Sequence, residues 1–213
     1  MDGPFPRIRA RYADQPAGAR LRLWQRWYGS PFSQVARWVP PDARVADLGC
    51  GFGLFSGLLA LEPARRVVGL DVDAAKIAHA ERVWGDLPNV RFACADLSAT
   101  PLPDCDCAVV YDVLHHLADA DALLAAVYAR LPPGGLLVVK ENDTGPPHKR
   151  LVSELVERVA VGLAVTRSAP VRFRSRAQWV ASIERAGFRV HVAEHLRARE
   201  GFFVPHSLFV ASR

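Results

Sequence analysis

Between residues 44 and 141 short apolar runs alternate with helix-like stretches. Arg44-Val45-Ala46-Asp47-Leu48 is a compact apolar run ending in a glycine cluster. Behind it, residues 54–61 carry Leu54, Phe55, Leu58, Leu59 and Leu61 at the spacing of a buried helix. The unit repeats: Val67-Val68-Gly69-Leu70 runs into Asp71, and Asp73 stands as the N-cap before an alanine-rich helix. Residues 90–93, 107–111 and 136–140 read as three further strands. Residues 120–130 form the helix before the last of these, and Pro132-Pro133-Gly134-Gly135 makes the turn into it. Near-continuous apolar strands alternating with helices predict a parallel sheet covered on both faces, whose ligands bind beyond the carboxyl ends of the strands.

The flanks follow a different pattern. Residues 20–28 place Leu21, Trp24 and Tyr28 on one helical face, with Arg22 and Arg26 elsewhere and Trp27 and Trp38 as further aromatic surface. This stripe is expected to pack on the core, the alternative being a lid over a substrate. After the fifth strand, residues 151–165 form an amphipathic helix with Leu151, Val152, Leu155, Val156, Val159 and Leu163 on one side. A basic segment, residues 166–176, then leads into a helix capped by Ser175. An insertion at this edge of a parallel sheet is placed to roof a ligand pocket. Its apolar helix suggests a hydrophobic ligand, and its arginines suggest an anionic group on the ligand or on an acidic carrier protein.

Composition narrows the class. With 213 residues and 50% hydrophobic residues the chain fits one domain and is too apolar for a disordered one. No apolar run approaches the roughly 20 residues of a membrane-spanning helix, and the N-terminus shows no signal-peptide core, so a cytoplasmic location is expected. Cys50, Cys94, Cys105 and Cys107 lack C-x-x-C spacing and read as reduced core residues, with no metal site expected. The net charge of +5 conceals an asymmetry: residues 1–44 carry +5, residues 45–141 carry −6 and residues 142–213 carry +6.

The chemistry concentrates in Asp47-Leu48-Gly49-Cys50-Gly51-Phe52-Gly53, where a strand ends and a helix opens. Glycines there let the backbone turn tightly and approach a ligand, while the helix start offers unpaired N–H groups. Asp71, at the end of the next strand, stands where a ribose diol would be bound. The spacing is G-x-G-x-G, not the dehydrogenase G-x-G-x-x-G, and the acid before the first glycine suits an ammonium better than a pyrophosphate.

These residues resemble the class I S-adenosylmethionine-dependent methyltransferases. Residues 45–53 look like the family's first motif, and Gly69-Leu70-Asp71-Val72-Asp73 looks like the acidic loop after its second strand. Cys94-Ala95-Asp96-Leu97 resembles the adenine loop, and Tyr111-Asp112-Val113-Leu114-His115-His116-Leu117 the motif after the fourth strand. Residues 188–192 and 207–211 fit the family's last hairpin. The resemblance implies an α/β, doubly wound, mostly parallel seven-stranded Rossmann-like sheet with an antiparallel last strand. An N-terminal helical extension (1–43), a core (44–141), a substrate-cap insertion (142–187) and a C-terminal hairpin (188–213) would make up one domain.

It further implies S-adenosylmethionine as cofactor and S-adenosylhomocysteine as product. The methionine end would lie on Gly49, Cys50, Gly51 and Gly53, with its ammonium on Asp47. Asp71 would hold the ribose, Val72 would pack on the adenine, and Asp96 with the Leu97 N–H would read the adenine edge. Tyr111 and Asp112 would complete the cofactor site. Methyl transfer is a displacement, so alignment of the nucleophile carries much of the acceleration, and a base helps only a poor nucleophile. His116 is the first candidate for that base, with His115 and Glu141 beside it. Trp24, Tyr28, His148, Arg172 and Arg174 are the candidate acceptor contacts. Motifs of amino-directed nucleic-acid, cytosine C5 and protein arginine methyltransferases are missing. What remains resembles the small-molecule group with quinone, polyketide and polyene acceptors, as a monomer or homodimer. The alternatives are a nucleic-acid methyltransferase and a non-catalytic cofactor-binding subunit.

Overall fold

The computed structural model describes residues 3–142, 172–196 and 206–213. The expected helix over 151–165, the basic run up to residue 171 and His148 lie outside these residues. Three helices, α1 (Phe5–Arg11), α2 (Ala17–Gly29) and α3 (Phe32–Ala36), precede the sheet. Then come β1 (Arg44–Leu48), α4 (Leu54–Ala60), β2 (Arg66–Asp71), α5 (Ala74–Trp84), β3 (Val90–Cys94) and β4 (Cys107–Tyr111). A 3-10 turn (Leu114–His116) leads to α6 (Ala120–Arg130) and β5 (Leu136–Asn142). The described chain closes with α7 (Arg176–Arg185), β6 (Arg189–Leu196) and β7 (His206–Ser212).

The seven strands lie in the order β3-β2-β1-β4-β5-β7-β6, with β7 antiparallel to both neighbours and the other pairings parallel. The chain reverses direction across the sheet at β1, so a crevice opens between the carboxyl ends of β1 and β4. Strand β4 is buried at every position because helices cover both faces. One face packs on α1–α5 around Phe55, Leu59, Trp84 and Val109. The other packs on α6 and α7 around Leu124, Leu137, Trp179 and Ile183.

The caps form as the side chains dictate. Asp73 accepts from Ala75 and Lys76 N–H, and Ser175 makes a capping box with Gln178. Helix α7 buries Trp179 and Ile183 against the sheet, so this part of the expected cap insertion covers the core instead of roofing a pocket. The aromatic stripe also differs from expectation. Helix α2 buries Ala19 and Leu23, whereas Leu21 and Trp24 are 59% and 47% exposed. Leu23 belongs to the buried cluster with Phe55 and Val109, while Trp24 and Tyr28 stack on each other at 4.7 Å and both meet the Phe5 ring of α1 edge-on. Cys94 is likewise exposed, because it ends an edge strand, while Cys105 and Cys107 are buried.

Helix α4 lies close to α5 through Gly57, where an added Cβ would overlap the fully buried Trp84 indole. Gly57→Ala is therefore expected to destabilise the fold by about 1–3 kcal/mol, overpacking outweighing the helix-propensity gain of about 1 kcal/mol. Urea unfolding followed by far-ultraviolet circular dichroism measures it.

Candidate active site

Loops after β1, β2 and β3 build one half of the site. Gly49, Gly51 and Gly53 have φ of 79°, 55° and 75°, a conformation that glycine alone adopts freely. The Gly49 and Cys50 N–H groups both donate to the Leu70 carbonyl, at 2.7 and 2.8 Å, which ties the turn to β2. A Cβ on Gly51 would meet no protein atom within 4 Å, so that surface of the turn is open to a ligand.

Asp71 clamps the arrangement. Its Oδ2 accepts from Gly51 N–H at 2.9 Å and its Oδ1 from Asp73 N–H at 2.9 Å, which leaves further lone pairs on both oxygens. Asp47 is 1% exposed. Its Oδ2 accepts from the Ser56 hydroxyl at 2.5 Å, while its Oδ1 is buried with no partner among the described residues. Burial pushes its carboxyl up to about 6, assisted by the charge of Asp71 and opposed by the Ser56 hydroxyl. A buried, half-satisfied carboxylate is the feature a cationic ligand group would complete. Val72 presents an apolar surface that is 64% exposed. Asp96 gives one oxygen to the Ser98 N–H and hydroxyl, at 2.8 and 2.6 Å.

The ends of β4, β5 and β7 build the other half. Asp112 has a left-handed φ of 57°, and its N–H donates to the Lys140 carbonyl. Lys140 is wholly buried and donates to Asp112 Oδ1 at 2.5 Å and to Asn142 Oδ1 at 3.2 Å. The Arg26 guanidinium lies 3.8 Å from Asp112 Oδ2. Burial alone would raise the Asp112 carboxyl, but the charges of Lys140 and Arg26 hold it well below the usual carboxylate range. His206 pairs with Asn142 Oδ1 at 3.1 Å.

Glu141 points to the opposite face of β5. It accepts from Val113 N–H at 2.9 Å, Leu114 N–H at 2.7 Å and the His115 ring at 2.5 Å. It thereby anchors the 3-10 turn and orients His115. His116 Nδ1 is buried with no hydrogen-bond partner among the described residues. Burial, then the neighbouring His115, push its pKa down to about 4, so the ring is neutral at pH 7.

One cavity of about 690 Å³ joins the two halves, a size suited to small molecules. Asp47, Gly49, Cys50, Gly51, Asp71, Val72, Asp96, Leu97, Tyr111, Asp112, His115 and His116 all line it. Gly53 is the left-handed residue that opens α4, and Glu141 stands behind the wall. Trp24 and Tyr28 are not among the lining residues; α2 contributes Arg22, Leu23, Gln25, Arg26 and Gly29 instead. Arg172 donates to the Ala118 carbonyl at 2.8 Å, and Arg174 holds Asp121 and Ser182 while stacking on Trp179. Both guanidinium groups serve the fold around α6 and α7. Sequence reasoning passed over Arg26, Lys140, Asn142 and His206. Only Lys140 left a signal, as a charge inside the apolar run Leu136-Leu137-Val138-Val139-Lys140.

Comparison with known proteins agrees with this geometry. A family model described as a methyltransferase domain matches residues 46–139, which take in the glycine turn and the first five strands. A trans-aconitate 2-methyltransferase of Methylobacterium nodulans is 34% identical over 155 residues, covering 70% of this chain and 59% of that protein. Phosphoethanolamine N-methyltransferase 1 of Arabidopsis thaliana is 32% identical over 111 residues, covering 51% of this chain and 23% of that protein. Both matches fall short of two thirds of the relative's length. An S-adenosylmethionine-dependent methyltransferase from Mesorhizobium loti superposes with a TM-score of 0.69 at 22% identity, covering 85% of this chain and 96% of that one.

Proposed function

We propose that this chain, whose residues 46–139 match a methyltransferase domain, is a class I S-adenosylmethionine-dependent methyltransferase that methylates a small hydrophobic acceptor by direct displacement. The observation that carries the reading is the unpartnered, buried Asp47 Oδ1 in the same cavity as the Asp71 clamp and His116. When bound, S-adenosylmethionine supplies an electrophilic methyl group on a sulfonium.

Asp47 would pair with the ligand's ammonium, and the spare lone pairs of Asp71 would accept from the ribose hydroxyls. Val72 would cover the adenine, with Asp96 and the Leu97 N–H at its edge. His116, a neutral ring lining the cavity, would take a hydrogen bond or proton from the acceptor's O, N or C nucleophile. Glu141 would act through His115, by fixing the turn that presents His116. The acceptor half has walls from Phe32, Leu117 and Tyr111, which favours an apolar body. An acyl carrier protein as the bearer of that acceptor belongs to this reading. No helix of the described residues is long and apolar enough to cross a membrane.

Calorimetry with S-adenosylmethionine, S-adenosylhomocysteine and NAD, followed by labelled-methyl transfer to an acceptor panel, tests the reading. Tight NAD binding without S-adenosylmethionine binding would refute it. Asp47 adds a pH signature. Its folded pKa of about 6 lies above the usual 3.8, so the native state holds the extra proton between about pH 4 and 6. Without ligand, stability falls as pH rises through that window, by about 3 kcal/mol. A cationic ligand needs the ionised form, so S-adenosylmethionine affinity is expected to drop as pH falls below 6. Asp47→Asn should abolish that pH dependence, and titrations between pH 5 and 7.5 read it.

A further inference from the structure

We propose that the end of the cavity framed by Arg26, Asp112, Asn142 and His206 seats a carboxylate of the acceptor, with the Arg26 guanidinium as its partner. The proposal rests on the reading above that the cavity holds a small-molecule acceptor beside the cofactor. The sheet order puts the cofactor loops on β1, β2 and β3, and this end on β4, β5 and β7.

Charge bookkeeping points to an anion. Lys140 is committed to Asp112 at 2.5 Å and is itself out of contact with solvent. Arg26 stands 3.8 Å from the remaining Asp112 oxygen, beyond hydrogen-bonding distance, with its side chain 53% exposed and lining the cavity. Among the described residues two cations therefore face one carboxylate, which leaves a single positive charge over. Glu141 does not balance it, because its oxygens are taken by Val113, Leu114 and His115 behind β5.

The groups facing His206 are Lys140, Asp112, Arg26 and the Gly29 carbonyl. Burial, then the Lys140 and Arg26 charges, lower its pKa to about 3 despite Asp112 and Gly29, so the ring adds no charge of its own. An acceptor carboxylate would meet the planar fork of Arg26 with two parallel N–H donors. Asp112 opposes such a guest weakly, since Lys140 already neutralises it. This moves the anion contact from Arg172, which is not among the lining residues, and Arg174, which Asp121 and Ser182 hold, to a residue of α2.

The test uses the whole chain saturated with S-adenosylhomocysteine. The probes are 4-hydroxybenzoate, octanoate and trans-aconitate, each beside its methyl ester. Calorimetry should show at least one acid binding at least tenfold tighter than its ester. Arg26→Gln should remove that preference without changing S-adenosylhomocysteine affinity. Arg20→Gln, at an exposed position of α2, should change neither. Three results overturn the proposal: acids and esters bind alike, no acid binds, or Arg26→Gln keeps the wild-type preference. Absence of S-adenosylhomocysteine binding to the wild-type chain would overturn the methyl-transfer reading itself, and this proposal with it.

Discussion

Asp71→Asn is expected to weaken S-adenosylmethionine and S-adenosylhomocysteine binding about a hundredfold or more. The Asp71 carboxylate receives backbone N–H groups on both oxygens, from Gly51 and Asp73 at 2.9 Å each. An amide has one accepting oxygen, so its NH2 group would face one of those donors. These donors are part-buried, so leaving one without an acceptor costs up to about 1–3 kcal/mol, and lost hydrogen bonds to a charged group cost about 1.5–3 kcal/mol. Every 1.4 kcal/mol is about tenfold in affinity. The two losses reinforce each other, because Gly51 belongs to the turn that would receive the methionine end. Calorimetry at pH 7.5 measures the loss, and wild-type affinity in Asp71→Asn would remove Asp71 from the site. A thermal melt alongside separates weakened binding from unfolding.

Lys140→Met should produce the largest stability loss. Lys140 is fully buried, and its Nζ lies 2.5 Å from Asp112 Oδ1. Removing Lys140 leaves the largely buried Asp112 carboxylate with only the half-exposed Arg26 guanidinium 3.8 Å away, at a cost of up to about 3–5 kcal/mol. For a domain of this length the melting temperature should fall by roughly 10–15 °C. Lys140→Met with Asp112→Asn should regain more than half of it, since the pair's cost lies in the stranded charge, and asparagine tolerates the left-handed backbone at 112. The Asp112 carboxyl is held well below its usual range in the folded protein. Its contribution is thus present above about pH 4, the usual carboxylate value, and is lost as pH falls through the depressed folded value. The gap between wild type and Lys140→Met should therefore narrow in acid. A double variant no more stable than Lys140→Met would show that the pair is not what Lys140 sustains.

The half of the cavity beside β1, β2 and β3 was legible because each contribution sits in the loop after its own strand. Asp47, Gly49, Gly51, Asp71, Val72 and Asp96 are announced by a local apolar run followed by glycine or acid, and parallel strands bring such loops to one edge. The half beside β4, β5 and β7 was not. Lys140 and Asp112 are 28 positions apart, Asn142 and His206 are 64 apart, and Arg26 comes from a helix ahead of the sheet. The outward turn of Leu21 and Trp24 was equally hidden, since helical spacing gives two apolar faces to α2 and only packing selects Leu23 as the buried one.

The sequence by itself determined the order of strands and helices, the glycine turn and the acids that follow β1, β2 and β3. Local backbone preferences and strand periodicity act within a few residues, and these features are written at that range. The tertiary structure alone decided which charges meet at the far end of the cavity. That depends on the pairing of β5 with β7 in the register Asn142 to His206, on the alternation that turns Lys140 inward and Glu141 to the other face, and on the docking of α2. Each is a long-range packing outcome, in which the burial of apolar faces fixes the position of polar groups that carry no local signal.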